Sequence, residues 1–396
     1  MKKIPFLLFI FFSFSTVKAL PLPVDITSNS AVLINMDNDQ IVYEKEPDKE
    51  QILASLTKIM TAYTALQHID NLNSKVTITE KDLSHLEGFT CAGLEEGDIV
   101  TYLDLLYAMM LPSGADASQA LALHIAGSNE EFVKLMNEEA HKVGMYHSHF
   151  ADSYGGDDAN VSTARELAIL LREALINPTF YKVFTTKRYT LSNGLQVVNY
   201  TDPTAEFYGF DTSIILGSKS GYTPEAGLML VSTAKINDVN YALVVCKSDL
   251  NKALTTHVID SFKVYNYVSQ HHYAVRDLLK KGMYLKKLPV LDSTISEYTI
   301  EVLDNVSVFL SDEDYDKVKY DYHLVENLST NNKAGDNLGY VDMLVDNEVV
   351  ASYNVYLKED IFAPKKESKL FLVVLVFLAF FILVLLSINI FSSKKN

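Results

Sequence analysis

The sequence predicts an α+β domain, an antiparallel sheet with a helical block, followed by a small all-β domain and one C-terminal transmembrane helix. Three observations carry that expectation. Strand-like runs fall near residues 31–43 and again near 217–246, with helical periodicity between them, so one sheet is assembled from distant segments. From about residue 275 the pattern changes to short alternating runs separated by turns. Residues 370–391 then contain no formal charge.

Composition sets the outer bounds. At 396 residues, with 48% hydrophobic and 21% charged residues, the chain suits two folded domains and is not disordered. Its net charge of −16 repels nucleic acid, and no basic patch in the body reverses this, so no nucleic-acid partner is expected. Cys91 and Cys246 are the two cysteines, and the sequence leaves open whether they pair.

In chain order, residues 1–19 read as a secretory signal peptide. Lys2 and Lys3 precede an apolar run, and Val17-Lys18-Ala19 offers small residues for cleavage. An uncleaved anchor is the competing reading, although the run is short for a span. Losing Lys2, Lys3 and Lys18 takes the net charge to about −19. Residues 31–35 and 41–43 flank Asp37-Asn38-Asp39 and form a hairpin. Ala54-Ser55-Leu56-Thr57-Lys58-Ile59-Met60 opens a helix whose stripe includes Tyr63 and Leu66. Residues 75–100 look irregular. A helix over 101–110 stops at Pro112-Ser113-Gly114, because proline cannot continue it. Two more helices follow near 116–126 and 130–143.

Tyr154-Gly155-Gly156-Asp157-Asp158 is a loop, and Thr163-Ala164-Arg165-Glu166 has the capping-box pattern of a helix running to about residue 174. Runs at 227–234 and 241–246, joined through Asn237-Asp238, make a second hairpin, and helix returns over 254–268. The trailing domain shows strand patterns at 298–303, 306–310, 317–322, 339–345 and 349–356, the last two joined by Asp346-Asn347. The expected boundaries are therefore a signal at 1–19, a main domain at 20–274, a β domain at 275–362 and a linker at 363–369. A membrane helix at 370–391 and a cytoplasmic tail at 392–396 follow. Twenty-two helical residues reach about 33 Å, enough for the hydrocarbon core. Lysines flank both sides, so the signal sets orientation, with the body outside the cytoplasm.

Ser55 and Lys58 lie one helical turn apart on one face. A neutral amine there can accept the serine proton while the oxygen attacks a carbonyl. An ordinary lysine stays protonated at neutral pH, so this chemistry requires a buried or positively biased site. Alone the pattern is weak, since Ser-x-x-Lys also begins at Ser15, Ser232 and Ser392. Only Ser55 opens a helix in a globular core. Two further stretches follow it. Leu111-Pro112-Ser113-Gly114-Ala115-Asp116 sets a hydroxyl on a loop, where Ser113 or Asp116 could equally be a helix cap. Gly217-Ser218-Lys219-Ser220-Gly221-Tyr222-Thr223 puts a lysine and hydroxyls at the start of a strand. It could hold an anionic group or be a solvated turn.

In this order the three stretches resemble the signature set of penicillin-binding proteins and serine β-lactamases. The chain is most similar to the low-molecular-mass D-alanyl-D-alanine carboxypeptidases, over about residues 28–270. The trailing domain, with Ala334-Gly335-Asp336-Asn337-Leu338-Gly339, resembles that family's C-terminal domain more faintly. The resemblance implies a β-lactamase/transpeptidase-like fold and an enzyme that removes the terminal D-alanine of peptidoglycan stem pentapeptides, with no cofactor and no metal. It implies Ser55 as the acylated nucleophile, Lys58 as its base and Ser113 as a proton relay. Lys219, Ser220 and Thr223 would hold the substrate carboxylate around Gly221, and the amides of Ser55 and Tyr222 would form the oxyanion hole. β-Lactam antibiotics would be inhibitors, and membrane lipid would be a partner through the C-terminal helix.

Three departures stand out. Ala115 replaces an asparagine of the family loop, Ser220 replaces the commoner threonine, and His257 stands where an arginine is expected on the carboxylate. Restoring the amide with Ala115→Asn is expected to be neutral or to improve turnover. Two alternatives remain open. A β-lactamase needs a deacylating glutamate, and Glu173-x-x-x-Asn177 fits that pattern loosely but ends a helix. A catalytically impaired binding or sensing module of the same fold is favoured only by Ala115. His141, His147 and His149 cluster without metal-ligand spacing.

Overall fold

The computed structural model describes residues 16–17, 22–199, 201–250, 255–363 and 374–382. Most of the expected signal peptide and membrane helix lies outside these residues. Of the described parts, Thr16–Val17 pairs antiparallel with Ala351 and Ser352, and residues 374–382 are helical and exposed. Among the described residues no helix is long and apolar enough to cross a membrane.

The first unit begins with the hairpin β1 (Ser30–Asn35) and β2 (Gln40–Lys45). A helical block follows: α1 (Thr57–His68), α2 (Tyr102–Met110), α3 (Ala115–Ala126), α4 (Asn129–Lys142), α5 (Ala164–Ile176) and α6 (Pro178–Thr185). The chain then returns through β3 (Ile215–Gly221), β4 (Leu228–Ile236) and β5 (Val239–Ser248), and closes with α7 (Thr256–Gln270). The strands form one antiparallel sheet in the order β3-β4-β5-β1-β2. Asn237 and Asp238 both have positive φ, 50° and 64°, as a two-residue hairpin between right-twisted strands requires. Pairing of Val244 with Val32 joins the two ends of the unit.

Helices cover both faces of this sheet, which the sequence pattern did not separate. Val32, Ile34, Val231 and Val244 face the helical block, while Ala31, Leu33, Leu243 and Val245 face α7. A strand buried on both sides is apolar throughout instead of alternating, which is what these strands show. Within the block, α1 touches each of the other five helices. It is covered nearly all round, and Ala62 and Ala65 let its neighbours close in.

Local chemistry starts the helices. Thr101 caps α2 with a reciprocal bond from Asp104. Thr163 caps α5 by accepting from the Glu166 amide, but the expected return bond is absent. The Glu166 carboxylate is instead bonded by the His147 amide, the His147 ring and the Ser148 hydroxyl, three partners where the capping box offers one. Residues 75–100 hold more order than expected: Lys75–Thr77 pairs with Ile99–Thr101 around a short helix, Glu80–Leu83. Sequence reading also passed over α6, although Asn177 as cap and Pro178 at its first position signal it.

The second unit is all β apart from one short helix, Asp312–Asp316. Its longer strands are β6 (Ala274–Leu279), β7 (Tyr284–Leu291), β8 (Glu297–Glu301), β9 (Val306–Leu310), β10 (Lys319–Leu324), β11 (Asn337–Val345) and β12 (Glu348–Tyr356). β6 pairs with β9, β7 with β8, and β10, β11 and β12 form an antiparallel sheet. β6 and β7 were not anticipated. The unit has its own core, including Leu279, Val308, Val341 and Tyr353.

The two units share one aromatic joint. Val308 and Leu310 point into the β-unit core, so strand alternation turns Phe309 the opposite way, into the layer beneath the first sheet. Its ring stacks on Tyr273 at 5.3 Å and meets Tyr241 edge-on at 6.0 Å. Phe309→Ala is expected to cost about 3–5 kcal/mol of stability, read as a lowered urea midpoint. Phe362→Ala, at a ring 68% exposed, should change that midpoint little.

Candidate active site

The chain enters α1 through a 3₁₀ turn, Ala54–Leu56, that carries Ser55. Ala54 adopts φ 45°, a left-handed conformation that an L-residue resists. The turn is seated on a loop at residues 152–157. A Cβ on Gly155 would lie 1.8 Å from the Ala54 carbonyl oxygen, and its φ of 85° also demands glycine. Asp152 shapes that loop. Its carboxylate accepts the amides of Tyr154 at 2.9 Å, Gly156 at 2.8 Å and Asp157 at 2.6 Å, together with that of Gly155.

Lys58 lies one turn beyond Ser55, as its spacing requires. Its Nζ is 3.1 Å from Ser55 Oγ and donates to the Tyr154 carbonyl at 2.6 Å. The side chain is buried. Burial pushes its pKa down to about 8, against the opposing pull of Asp152 and then Asp116. The amine can therefore be neutral at moderate pH, which an exposed lysine cannot.

A second buried amine faces the same cleft. Lys219 Nζ donates to Ser113 Oγ at 2.8 Å and to the Ser220 carbonyl at 2.8 Å. Burial holds its pKa well below the usual lysine range, and the charge of Lys58 lowers it further. Ser113 has φ 70° at the turn where Pro112 ends α2. Gly221 brings β3 against the Ser55 turn: a Cβ there would be 3.2 Å from the Leu53 carbonyl oxygen. A cavity of about 200 Å³ extends from this point, lined by Ser113, Asn199, Lys219, Ser220 and His257 among others.

The structure thus joins Ser55 with Lys58 and Ser113 with Lys219, with Ser220 exposed beside them. Tyr222 and Thr223 follow on the far side of Gly221. Tyr222 is exposed, and the Thr223 hydroxyl accepts from the Ala226 amide at 3.1 Å, shaping a turn. Ala115 is buried at the first position of α3, its amide bonded to the Thr90 carbonyl.

Sequence reasoning missed the residues that hold these groups in place. Besides Asp152 and Gly155, Asp116 accepts the amides of Ala92, Gly93 and Leu94 and fastens that loop to the rim. Asn199 Nδ2 donates to the Ser218 carbonyl at 2.9 Å. Only the Gly155-Gly156 pair carried a signal. Elsewhere, Cys91 is exposed and Cys246 buried, both as free thiols. His147 bonds Glu166 at 2.9 Å, and among the described residues no three His, Cys, Asp or Glu side chains gather to hold a metal. Glu173 bonds Arg172, and Asn177 caps α6, so neither lines the Ser113–Lys219 cavity.

Residues 15–249 match the family model described as D-alanyl-D-alanine carboxypeptidase. The chain belongs to that family. Residues 273–362 match the C-terminal domain of penicillin-binding protein 5. Among relatives, a D-alanyl-D-alanine carboxypeptidase of Bacillus subtilis, DacF, is 29% identical over 344 residues, covering 84% of this chain and 85% of its own. A D-alanyl-D-alanine endopeptidase of Escherichia coli is 29% identical over 223 residues, covering 56% of this chain and 71% of its own. Among solved structures, the carboxypeptidase DacD of Francisella tularensis covers 87% of this chain and 96% of its own with a TM-score of 0.72. At 22% identity it bears on the fold alone. A Streptomyces K15 DD-transpeptidase is 31% identical with a TM-score of 0.56, covering 61% of this chain and 98% of its own.

For this family member, Gly155→Ala should push the Ala54 carbonyl away and tilt the Ser55 turn. Acylation by benzylpenicillin is expected to slow about 100-fold or more, measured by stopped-flow or intact mass. Gly144→Ala, strained likewise at φ 88° but just past the end of α4 with nothing within 4 Å, should leave that rate unchanged.

Proposed function

We propose that this chain acts as a serine D-alanyl-D-alanine carboxypeptidase through Ser55, with peptidoglycan stem pentapeptides as substrate. The observation that carries the reading is the buried Lys58 amine 3.1 Å from Ser55 Oγ. Ser55 Oγ attacks the carbonyl carbon of the penultimate D-alanine and passes its proton to neutral Lys58. The oxyanion is held by the amides of Ser55 and Tyr222, at the junction where Gly221 abuts the Ser55 turn. The proton then moves through Ser113, which Lys219 contacts, to the nitrogen of the departing D-alanine as the peptide bond breaks. Water releases the acyl group and restores the Ser55 hydroxyl. Penicillins would stop at the acyl stage.

The carboxypeptidase reading is supported over an endopeptidase by the extent of the likeness. The Bacillus carboxypeptidase matches across 84% of this chain, the Escherichia endopeptidase across 56%. The family acts on the cell wall, outside the cytoplasm. The uncharged stretch at 370–391 would anchor the chain in membrane lipid, with the catalytic unit at 20–274 and the β unit at 275–362 exported behind a cleaved signal.

The test is intact mass of the protein mixed with benzylpenicillin, beside Ser55→Ala. A persistent adduct absent from Ser55→Ala, with D-alanine released from a D-Ala-D-Ala peptide, supports the reading. A fleeting adduct with drug hydrolysis would make it a β-lactamase, and no adduct would leave a binding module. Because Lys58 must be neutral, the acylation rate should climb about tenfold per pH unit below pH 8 and level off above it. A pH-independent rate would remove Lys58 as the base.

A further inference from the structure

Two hydroxyls that the mechanism above does not use meet at one oxygen of the loop that seats the Ser55 turn. Thr61, on α1, donates to the Ser153 carbonyl at 2.6 Å, and Ser118, on α3, donates to the same oxygen. Thr61 lies one turn beyond Lys58 on α1. The other carbonyl within its reach, that of Thr57, is 3.4 Å away, so its single proton goes to Ser153. Thr61, Ser118 and Ser153 are all fully buried. A carbonyl oxygen has two lone pairs, and here each meets a side-chain hydroxyl.

These bonds hold the peptide next to the one that Lys58 touches. The plane joining Ser153 to Tyr154 is fixed at its oxygen by the two hydroxyls. Its N–H is fixed by Asp152, which accepts the Tyr154 amide at 2.9 Å. The following plane gives its N–H to Asp152 and offers its oxygen, the Tyr154 carbonyl, to Lys58 Nζ at 2.6 Å. With the first plane pinned, the Tyr154 carbonyl has little room to swing away from the amine. Neutral Lys58 has two N–H bonds and one lone pair. Donating one N–H to a fixed oxygen limits its rotation, so the lone pair can be presented to Ser55 Oγ, 3.1 Å away.

We propose that Thr61 and Ser118 are positioning residues for acyl transfer: they hold the Ser153 carbonyl so that the Tyr154 carbonyl keeps the Lys58 amine aimed at Ser55. The inference rests on Ser55 and Lys58 acting as nucleophile and base. The Tyr154 carbonyl also has an electrostatic effect. It stabilises the ammonium more than the amine, so it opposes burial, as Asp152 on the loop and Asp116 on α3 do. The other ionisable groups acting on Lys58 are Cys91, on the loop before α2, and Lys219 on β3. Removing a Thr61 or Ser118 hydroxyl alters none of these four. It lets the Tyr154 carbonyl relax, so the aim is lost and the ammonium loses an acceptor. The acylation rate then falls and the Lys58 pKa falls with it. Loosened packing would move the pKa the other way, because water around the amine raises it.

The test is the rate of acylation of the full chain by benzylpenicillin between pH 5.5 and 9.5, followed by stopped flow. Thr61→Val should lower the high-pH plateau about tenfold or more and move the midpoint about one unit toward acid. Thr61→Ser should restore both. Ser118→Ala, a smaller change on another helix, should move plateau and midpoint in the same directions, and it decides the matter where Thr61→Val does not fold. Thr64→Val supplies the comparison. That hydroxyl, further along α1, is buried without a partner, so plateau and midpoint should stay where they are. A wild-type profile in Thr61→Val and Ser118→Ala, a midpoint moved toward base, or an equal shift in Thr64→Val overturns the assignment. No acylation of the wild type at any pH overturns the Ser55–Lys58 reading and this inference with it.

Discussion

Removing one lysine amine from water is the constraint on which the rest of this site depends. Lys58 needs burial deep enough to outweigh the carboxylates of Asp152 and Asp116, both of which favour its charged form. The fold supplies that burial by making α1 the innermost helix, in contact with five others. It also keeps the acids occupied elsewhere. Each carboxylate is spent on a row of backbone amides, so it orders a loop and is not a direct partner of the amine.

The Ser55 turn shows how the same region stores strain. Ala54 is held left-handed because the Asp152 loop leaves no other place for its carbonyl, and Gly155 is the only residue type that fits beneath it. Ser113 is held in a similar conformation where proline stops α2. Both hydroxyls that face the buried amines therefore sit on or beside a backbone position that an ordinary loop would relax.

Much of this was legible in the sequence because the paired side chains obey short-range rules. Ser55 and Lys58 are one turn apart, so helix geometry alone pairs them. Pro112 places Ser113 at a helix end, and Gly217 and Gly221 mark a strand that must pack closely. What stayed hidden acts over long separations. Asp152 and Asp116 work through backbone amides, which have no residue signature. The covering of both sheet faces depends on α7 and on Phe309, and neither can be assigned a face from its own segment. β6 sets Arg276 and Asp277 side by side among apolar residues and β7 mixes two lysines with a proline, so period-two alternation alone did not reveal them.

Phe309 also sets how the two units respond to load. A tethered pair of domains absorbs a sideways pull at its linker, but here the ring of Phe309 is embedded between Tyr273 and Tyr241 beneath the sheet. Bending at the junction must first draw an aromatic side chain out of a packed layer into water. Tilting of the β unit is therefore coupled, through Phe309 and Tyr241, to β5 and the sheet that contains it.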